Sequence, residues 1–350
     1  MEFTGGGLLE VRITPSDVGK RVSVRRLIDG GESAGKFTDT VGVLTSWTSG
    51  VLRVTRRNGE AVEIDERALV AGKVVPAAPA RRRGPAADFA ELARVAARAW
   101  QPVESEALGG WTLRAAGGFT RRANSVLPVG DPGVPLDGAL ARVREWYGER
   151  GLPPYVQVAT GAAGTQEVLG AELTARGWVR EVTAEVWTGA LAPVGELGLP
   201  GSGGAAAPVR LTRSVDTAWL RRYQRTGEPG PQVLKVLEAG PSVWFATVPA
   251  AGEDAGDDAR DGTGGGDVPA AIGRCVVDGR WAGFMAVEVA PERRRRGLAG
   301  LIMGALARQA LDEGASAAWL QVEADNTGAR ALYEGMGFAA HHSYHHFRSP

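Results

Sequence analysis

The chain has 350 residues, which is more than a typical single domain, so two or three domains are expected. Forty acidic residues balance 40 basic ones, which removes the global electrostatic argument for a nucleic-acid or membrane-surface partner. A single cysteine, Cys275, excludes an intrachain disulfide, and the chain shows neither a secretory leader nor an apolar run near the about 18 residues of a membrane helix. We therefore expect a soluble, cytoplasmic protein.

Four short β-segments separated by Gly, Asp and Asn turns occupy the first 75 residues, at 22–28, 41–47, 51–55 and 61–64. They predict a small antiparallel β-barrel of the Src-homology type over residues 1–76. Barrels of this type bind peptides or nucleic acids, so a protein partner for this domain is one possibility. Prolines at 77–87 predict a linker, where residues 81–83 are arginines that resemble a nucleic-acid arm but are more commonly a solvated linker.

An α/β unit is predicted over residues 88–190, followed by a Gly/Pro/Ala-rich linker at 191–208 and a last domain at 209–350. An acidic, glycine-rich segment at 250–268 predicts a disordered loop in the last domain. The helices predicted from apolar periodicity are 88–100, 136–150, 166–176, 216–225 and 231–239. The predicted strands are 111–116, 122–129, 155–159, 178–188, 209–212, 243–248, 270–277 and 281–290.

Four arginines, residues 293–296, and Gly297 precede a helix with one apolar face. Cations at a helix N-terminus oppose its dipole and repel one another, whereas a bound polyphosphate reverses both effects. The pattern therefore predicts an anion-binding turn between a strand and a packed helix. The apolar face of that helix consists of Leu298, Leu301, Ile302, Ala305, Leu306 and Ala310.

A strand at 317–324 and the segment 325–338 follow this helix. Together with the turn, they resemble the GNAT superfamily of acyl-CoA-dependent N-acyltransferases. The resemblance covers residues 209–347. It is carried by Val289, Pro291, the loop 294–299, Asn326, Ala329, Leu332, Tyr333, Gly337 and Phe338.

The resemblance implies a mixed α+β fold with a splayed mixed sheet, acetyl-CoA as cosubstrate, and no metal. Backbone groups of residues 287–289 would pair with the pantetheine arm, and amides of residues 295–300 would surround the pyrophosphate, where Gly297 allows close approach. One or two of the arginine side chains at 293–296 would add charge-assisted hydrogen bonds to phosphate, and the others would be solvated. The implied cofactor-binding residues are Val287, Glu288, Val289, Arg294, Arg295, Arg296, Gly297, Leu298, Ala299, Gly300, Asn326 and Tyr333.

The resemblance also implies that Tyr333 protonates the departing thiolate and that Asn326 orders the cofactor or the loop around it. A core aromatic is the alternative for Tyr333. Glu288 is a candidate general base, and Glu323 on the neighbouring strand is another. Neither position is fixed by the family pattern, and an exposed strand-end glutamate or a water chain are the alternatives.

The order of elements from 111 to 188 parallels that of the last domain, with Gly177 and Trp178 in the places of Gly337 and Phe338. Leu173 stands where Tyr333 does, and an acidic turn at 129–135 replaces the arginine turn. We therefore expect a tandem protein whose first half, 88–190, is a degenerate GNAT-like unit. An unrelated α/β domain is the alternative.

Three further segments have weaker signals. Residues 119–125 are polar within a predicted sheet and either line the acceptor site or end a hairpin. Residues 30–36 have P-loop spacing, but Phe37 replaces the Ser or Thr that would bind magnesium, which indicates a barrel loop. All four histidines lie at 341–346, where His341 and His345 on one strand face are about 13 Å apart, too far to share a metal ion.

The sequence thus predicts an N-acetyltransferase that moves acetyl from acetyl-CoA to a primary amine of a small molecule or protein, by direct attack in a ternary complex. The alternative is an acyl-CoA-sensing or nucleic-acid- or peptide-binding protein with vestigial catalysis. The identity of the acceptor amine cannot be read from the residues.

Overall fold

The chain divides into two compact units. The first comprises Met1–Ala80, Val156–Thr183 and His341–Pro350, and the second Arg81–Tyr155 and Ala184–Ala340. The predicted P-loop-like segment and most of the predicted 77–87 linker and acidic loop lie outside the described residues. The computed structural model describes residues 10–28, 37–76, 85–199, 208–223, 230–250 and 268–350.

Five strands come first in the chain, and α-helices are interspersed with strands from residue 89 onward. The strands are β1 Arg21–Leu27, β2 Phe37–Thr48, β3 Val51–Thr55, β4 Ala61–Asp65, β5 Leu69–Val74, β6 Glu104–Leu108, β7 Trp111–Ala115, β8 Leu127–Pro128, β9 Tyr155–Thr160, β10 Val179–Ala190, β11 Arg210–Thr212, β12 Ser242–Val248, β13 Ala271–Asp278, β14 Trp281–Val289, β15 Ala317–Glu323 and β16 Ala339–Arg348. The helices are α1 Phe89–Ala99, α2 Leu136–Gly148, α3 Glu167–Ala175, α4 Leu191–Gly195, α5 Thr217–Arg222, α6 Pro231–Glu238, α7 Leu298–Asp312 and α8 Thr327–Gly335. Within the described residues, none of these helices is long and apolar enough to cross a membrane.

The N-terminal strands form an antiparallel five-stranded sheet in the order β4-β3-β2-β1-β5. Alternate side chains of its strands, such as Val22, Val24, Leu52 and Val54, are fully buried because one face of each strand is turned toward the core. The four predicted strands are present. The fifth, β5, was not predicted.

The main sheet of the second unit has the order β11-β12-β13-β14-β15-β10. Its strands pair antiparallel except β14 and β15, which run parallel from Trp281–Ala317 to Phe284–Leu320 and are connected through α7. The predicted apolar face of α7 is buried against this sheet, with Ile302 and Leu306 fully inaccessible. The prediction of a packed helix after the arginine turn is therefore confirmed, as is the mixed α+β fold class.

The final strands of the two predicted halves are exchanged. In the second unit, residues 184–190 of β10 pair antiparallel with β15. In the first unit, β16 lies between β10 and β9 in the strand order. β9 and β15 are the strands that precede the last helix of the first and the second half. Each of them lies beside the final strand of the other half: β16 is next to β9, and β10 is next to β15. This reciprocal arrangement supports the predicted tandem organisation.

Two element predictions were wrong. The strand predicted at 122–129 is a 3-10 turn, Arg121–Ala123, followed by only the two residues of β8. The predicted linker at 191–208 begins with helix α4, whose Leu191 and Val194 are fully buried. Pro193 does not prevent this helix because it lies in the first turn, where a backbone N–H has no intrahelical acceptor.

Candidate active site

A β-bulge interrupts β14 close to its end. Pairing with β13 shifts register between Ile272 and Arg274, and opposite this shift Ala286 has a φ of 52°, in the left-handed region that a residue with a side chain rarely adopts. The parallel pairing with β15 ends at Phe284, just before the bulge. Residues 285–289 therefore leave β15, and Met285, Ala286 and Val287 line a cleft.

The arginine turn connects β14 to α7. A 3-10 turn at Pro291–Arg293 is followed by two left-handed residues, Arg295 with φ 61° and Gly297 with φ 78°, and Gly297 is the N-cap of α7. The α7 N-cap has no side-chain hydrogen bond, and the first helical turn contains no acidic residue. The first amides of a helix lack intrahelical acceptors, so this turn presents N–H groups and the helix dipole to an anion.

The arginine side chains of this turn are accessible. Arg294, Arg295 and Arg296 are exposed and Arg293 is half-buried. Among the described residues, no ion pair involves any of these four side chains. Four cations thus lie beside an uncapped helix N-terminus, with Glu292 as the acidic residue of the same turn, and a bound polyphosphate would neutralise the remaining positive charge.

The cleft beside β14 has a volume of about 90 Å³. Three groups of residues line it: the bulged part of β14, the end of β15 with α8, and a third wall from distant parts of the chain. The lining residues are Phe284, Met285, Ala286, Val287, Gln321, Val322, Glu323, Asn326, Ala329, Tyr333, Trp100, Arg122 and Tyr223.

Tyr333 lies on α8 and is half-buried in this cleft. The edge of its ring contacts Phe338, with the ring centroids 6.2 Å apart. Gly337, with φ 88°, ends α8 in a left-handed turn, and the Phe338 amide donates to the Tyr333 carbonyl at 3.0 Å. Phe338 is then buried against Phe284. Gly337 therefore ends the helix, and the buried ring of Phe338 lies against Tyr333.

Asn326 lines the cleft and also caps α8. Its Oδ1 accepts a hydrogen bond from the Ala329 amide at 3.1 Å, which satisfies one of the amides at the start of the helix. This contact fixes where α8 begins, and hence the position of Tyr333 two turns later.

The two candidate bases are placed differently. Glu323, at the end of β15, lines the cleft and is exposed. Glu288 is half-buried on β14, opposite Ile272, and is not among the residues that line the cleft. The structure therefore brings Glu323 to the same cleft as Tyr333, Asn326 and Val287. It does not bring Glu288, Val289 or the arginine turn into that lining.

Sequence reasoning missed most of the third wall. Trp100 follows α1, and Tyr223 follows α5. Arg122 belongs to the 119–125 segment, for which lining of the acceptor site was one of two predictions, and its place in the cleft agrees with that alternative. The sequence signal was the unusual polarity of this segment. Nothing local marked Trp100 or Tyr223.

Arg274 supports this wall from inside the protein. It is fully buried, and its guanidinium donates to the carbonyl oxygens of Leu237 at 2.6 Å, Ala99 at 2.9 Å and Ala239 at 2.8 Å. Burial lowers the pKa of this guanidinium to about 10. Its Cζ lies 5.2 Å from the centroid of the Trp100 ring, so Arg274 ties the end of α1 to the end of α6 behind the cleft.

The predicted histidine strand is β16. His341 and His342 contact through their Nδ1 atoms at 2.9 Å, while His345 lies between Thr160 and Thr183. Within the described residues, no group of three or more His, Cys, Asp or Glu is placed to hold a metal ion.

Three features are those of an acyltransferase of the GNAT type. They are a parallel strand pair whose pairing ends before a bulge, a glycine turn into α7, and a tyrosine on the next helix. The resemblance to the GNAT superfamily is confirmed. Two family models match the chain: "Probable histone acetyltransferase Rv0428c C-terminal" over residues 86–347, and "Rv0428c N-terminal Sm-like domain" over residues 16–73. The first match spans well over half of the chain. The protein therefore belongs to the family of the Rv0428c-type acetyltransferases.

The similar proteins include one relative in sequence and two solved structures. The "Probable histone acetyltransferase Rv0428c" of Mycobacterium tuberculosis is 28% identical over 331 residues, which are 93% of each chain. A GCN5-related N-acetyltransferase from Kribbella flavida is similar in structure, with a TM-score of 0.49 and 18% identity over 75% of this chain and 95% of that one. A tandem GNAT protein from the clavulanic acid biosynthesis pathway has a TM-score of 0.48 and 14% identity over 77% and 89% of the two chains.

Proposed function

We propose that this acetyltransferase moves the acetyl group of acetyl-CoA to a primary amine, which attacks the thioester directly while both substrates are bound. The cleft supports this most, because it is lined both by the part of β14 that no longer pairs with β15 and by Tyr333 of α8. A division into a barrel at 1–76, a first half at 88–190 and a catalytic half at 209–350 is part of this proposal. The Sm-like family match at 16–73 supports the first boundary.

The cofactor would lie along β14 and end at the arginine turn. Residues 287–289 no longer pair with β15, so their backbone edge can bond to the amides of the pantetheine arm as another strand would. The pyrophosphate would accept from amides of residues 295–300, since Gly297 leaves the approach open. Arg294, Arg295 and Arg296 are exposed and able to add charge-assisted bonds to phosphate.

In the chemical step, the nitrogen of the neutral amine forms a bond to the thioester carbon, and the carbon–sulfur bond then breaks. Tyr333 donates its phenolic proton to the departing thiolate. Glu323 takes the proton that the amine must lose, because among the two candidate glutamates it is the one that lines the cleft. Asn326 acts indirectly, as the cap that fixes the start of α8.

The test is thiol release from acetyl-CoA by the purified full chain with a panel of amines and lysine peptides, alongside calorimetric binding of acetyl-CoA. We expect binding, turnover of at least one amine, and an about 10²–10⁴-fold lower kcat for Tyr333→Phe with little change in cofactor affinity. Tyr155→Phe is the matched control, since Tyr155 is not among the residues that line the cleft. Cofactor binding without turnover of any amine would instead indicate an acyl-CoA sensor.

A further inference from the structure

A second pocket lies entirely within the first unit. Its volume of about 520 Å³ falls in the range of about 300–1,000 Å³ that ordinary ligand pockets have. One side of it is the five-stranded sheet, and the other side is the segment 161–167 that follows β9. We call it the sheet-face pocket. None of its residues takes part in the transfer step proposed above.

The outer face of the sheet, which forms one wall of this pocket, is apolar in part. Successive side chains of a strand point to opposite faces, and Leu44 is buried in the core, so Val43 points outward. Val41 lies on the same face two residues earlier and is 40% exposed. On the far side of β1, the half-buried Val75 also lines the pocket. Outward faces of antiparallel sheets usually carry polar side chains, so these neighbouring valines indicate a surface that binds an apolar group.

Arg21 places a positive charge between these valines. It is half-buried, stands opposite Val43 in the β1–β2 register, and accepts the Val75 amide at 2.9 Å through its carbonyl. Its Nη1 donates to the carbonyl of Pro76 at 2.8 Å, which is a neutral acceptor. Within the described residues, no ion pair involves Arg21.

The other charged residues that line the pocket have partners within the chain. Lys20 forms an ion pair with Asp17 at 2.9 Å, and the Arg57 guanidinium is hydrogen-bonded elsewhere in the first unit. Glu167 is 5% exposed, and its Oε1 accepts from the Gly161 amide and from the Thr165 hydroxyl, both at 2.8 Å. Arg21 is therefore the charged group that is best placed to receive an anion.

The segment opposite the sheet is held close to it. A β-carbon on Gly161 would lie 2.6 Å from the carbonyl oxygen of Arg57, and Gly161 has a φ of 94°, so a side chain there would clash and strain the backbone. The same carbonyl accepts from Thr160 Oγ1 at 3.1 Å. The two walls of the pocket are thus tied together at one end, which favours a preformed site.

We propose that the sheet-face pocket binds an amphiphilic anion, a small molecule with one acidic headgroup and an apolar chain. The headgroup is a carboxylate or a phosphate monoester, both of which the planar guanidinium of Arg21 can bind through two parallel hydrogen bonds. Val41, Val43 and Val75 contact the chain. This inference does not depend on the proposed transfer reaction, because all of these residues belong to the first unit.

Both parts of such a ligand are needed to match the pocket. A purely apolar ligand would cover the charge of Arg21 without supplying a counter-ion, which is unfavourable. A small inorganic anion would leave the valines exposed and gain only the weak attraction of a solvated ion pair. Each methylene group buried against the valines should strengthen binding by about fourfold.

The test is titration calorimetry of the full chain with probes that vary headgroup and chain separately. Butyrate, hexanoate and octanoate vary the chain, whereas octanoate, octyl phosphate, 1-octanol and octylamine vary the headgroup. All are used at concentrations at which they remain monomeric. We expect affinity to rise by about fourfold for each added methylene group, and at least one octyl anion to bind about tenfold or more tightly than octanol and octylamine. The tighter of the two anions identifies the headgroup.

A charge variant tests the headgroup contact. Arg21→Gln should lower the affinity for the octyl anion to about that for octanol, while the thermal midpoint stays as in the wild type, and Arg21→Lys should retain part of the preference. Lys73→Gln is the matched control. Lys73 lies opposite Ser23 on the same face of the sheet and is exposed, but it does not line the pocket.

An apolar variant tests the chain contact independently of Arg21. Val41→Ser should weaken binding of octanoate more than binding of butyrate. Val11→Ser is the matched control, because Val11 is also 40% exposed and lies outside the pocket.

Each contrary outcome overturns the proposal. Equal affinity for the octyl anions, octanol and octylamine, or anion binding that is unchanged in Arg21→Gln, would show that Arg21 does not recognise a headgroup. Affinity that is independent of chain length, or equal losses in Val41→Ser and Val11→Ser, would show that the valines do not bind the chain. Failure of every probe to bind would exclude the site, and none of these results bears on acetyl transfer, which is measured separately.

Discussion

Ile302 of α7 packs directly against Gly273 of β13. A β-carbon added to Gly273 would lie only 2.5 Å from Ile302 Cγ2. Gly273 stands opposite the β14 bulge, between the register positions of Ile272 and Arg274. The close approach of α7 to the sheet and the bulge at Ala286 therefore depend on the same glycine. Because α7 begins at the arginine turn, this packing also couples the position of the turn to the edge of β14.

Gly273→Ala tests that coupling. The added methyl group meets Ile302 and forces the helix or the bulge to move, so we expect a loss of about 1–3 kcal/mol of unfolding free energy. Acetyl-CoA affinity should fall as well, since both proposed cofactor contacts shift. Urea unfolding and calorimetry measure the two effects.

The control for this prediction is the double variant Gly273→Ala/Ile302→Ala. Ile302→Ala alone should cost about 2–5 kcal/mol, as for other buried truncations. If the two side chains compete for one space, the double variant loses less than the sum of the single losses, by about 0.5–3 kcal/mol. Strict additivity would show that the two positions are not coupled.

A second prediction concerns Gly297, whose φ of 78° is strained for any β-branched residue. Gly297→Val should abolish measurable acetyl-CoA binding while the protein remains folded. Gly314→Val is the matched control, because Gly314 has a φ of 90°, follows the opposite end of α7 and has no atom within 4 Å of where an added β-carbon would lie. Equal losses of affinity in both variants would mean that strain alone, and not the approach of phosphate, explains the effect.

Local patterns predicted the part of the site that is continuous in sequence. The buried face of α7 follows from apolar periodicity, whereas the role of the segment from Asn326 to Phe338 was predicted from the resemblance to the GNAT superfamily. The bulge could not be predicted, because alanine disfavours the positive φ that Ala286 adopts there. Trp100 and Tyr223 of the third wall were missed, since they follow two separate helices and no local pattern links them to the site.

A third prediction separates the two candidate bases. Glu323→Gln removes the carboxylate that lines the cleft, so we expect kcat/KM to fall about 10²-fold, the lower range for loss of a general base. Glu288→Gln should lower it far less, because Glu288 is not among the lining residues. Steady-state kinetics of both variants with the same amine measure this. A larger loss in Glu288→Gln would assign the proton transfer to Glu288 instead.

A fourth prediction follows from His345 in the first unit. Its Nε2 lies 3.0 Å from Thr160 Oγ1 and its Nδ1 lies 2.9 Å from Thr183 Oγ1, so both ring nitrogens have hydroxyl partners when the ring is neutral. Burial, with a smaller contribution from the charge of Arg180, lowers the pKa of His345 from 6.5 to about 4. Burial likewise lowers the pKa of His342, to about 3.

These shifts make the fold less stable in mild acid. Well above pH 6.5 these two histidines are neutral in the folded and unfolded states, and pH has almost no effect through them. As the pH falls below 6.5, the unfolded chain binds protons that the folded chain does not, so stability falls, by up to about 1.4 kcal/mol per pH unit for each histidine, until the folded pKa is reached. Between pH 6.5 and 5, His345 should therefore contribute a loss of about 2 kcal/mol.

His345→Gln retains a side chain that can bond to both hydroxyl groups but does not titrate. We expect the difference in unfolding free energy between pH 7 and pH 5, measured by urea unfolding, to shrink by about 2 kcal/mol in this variant. The part that remains should include the contribution of His342, because its pKa is lowered in the same direction. An unchanged difference would mean that His345 is protonated as readily in the folded protein as in the unfolded chain.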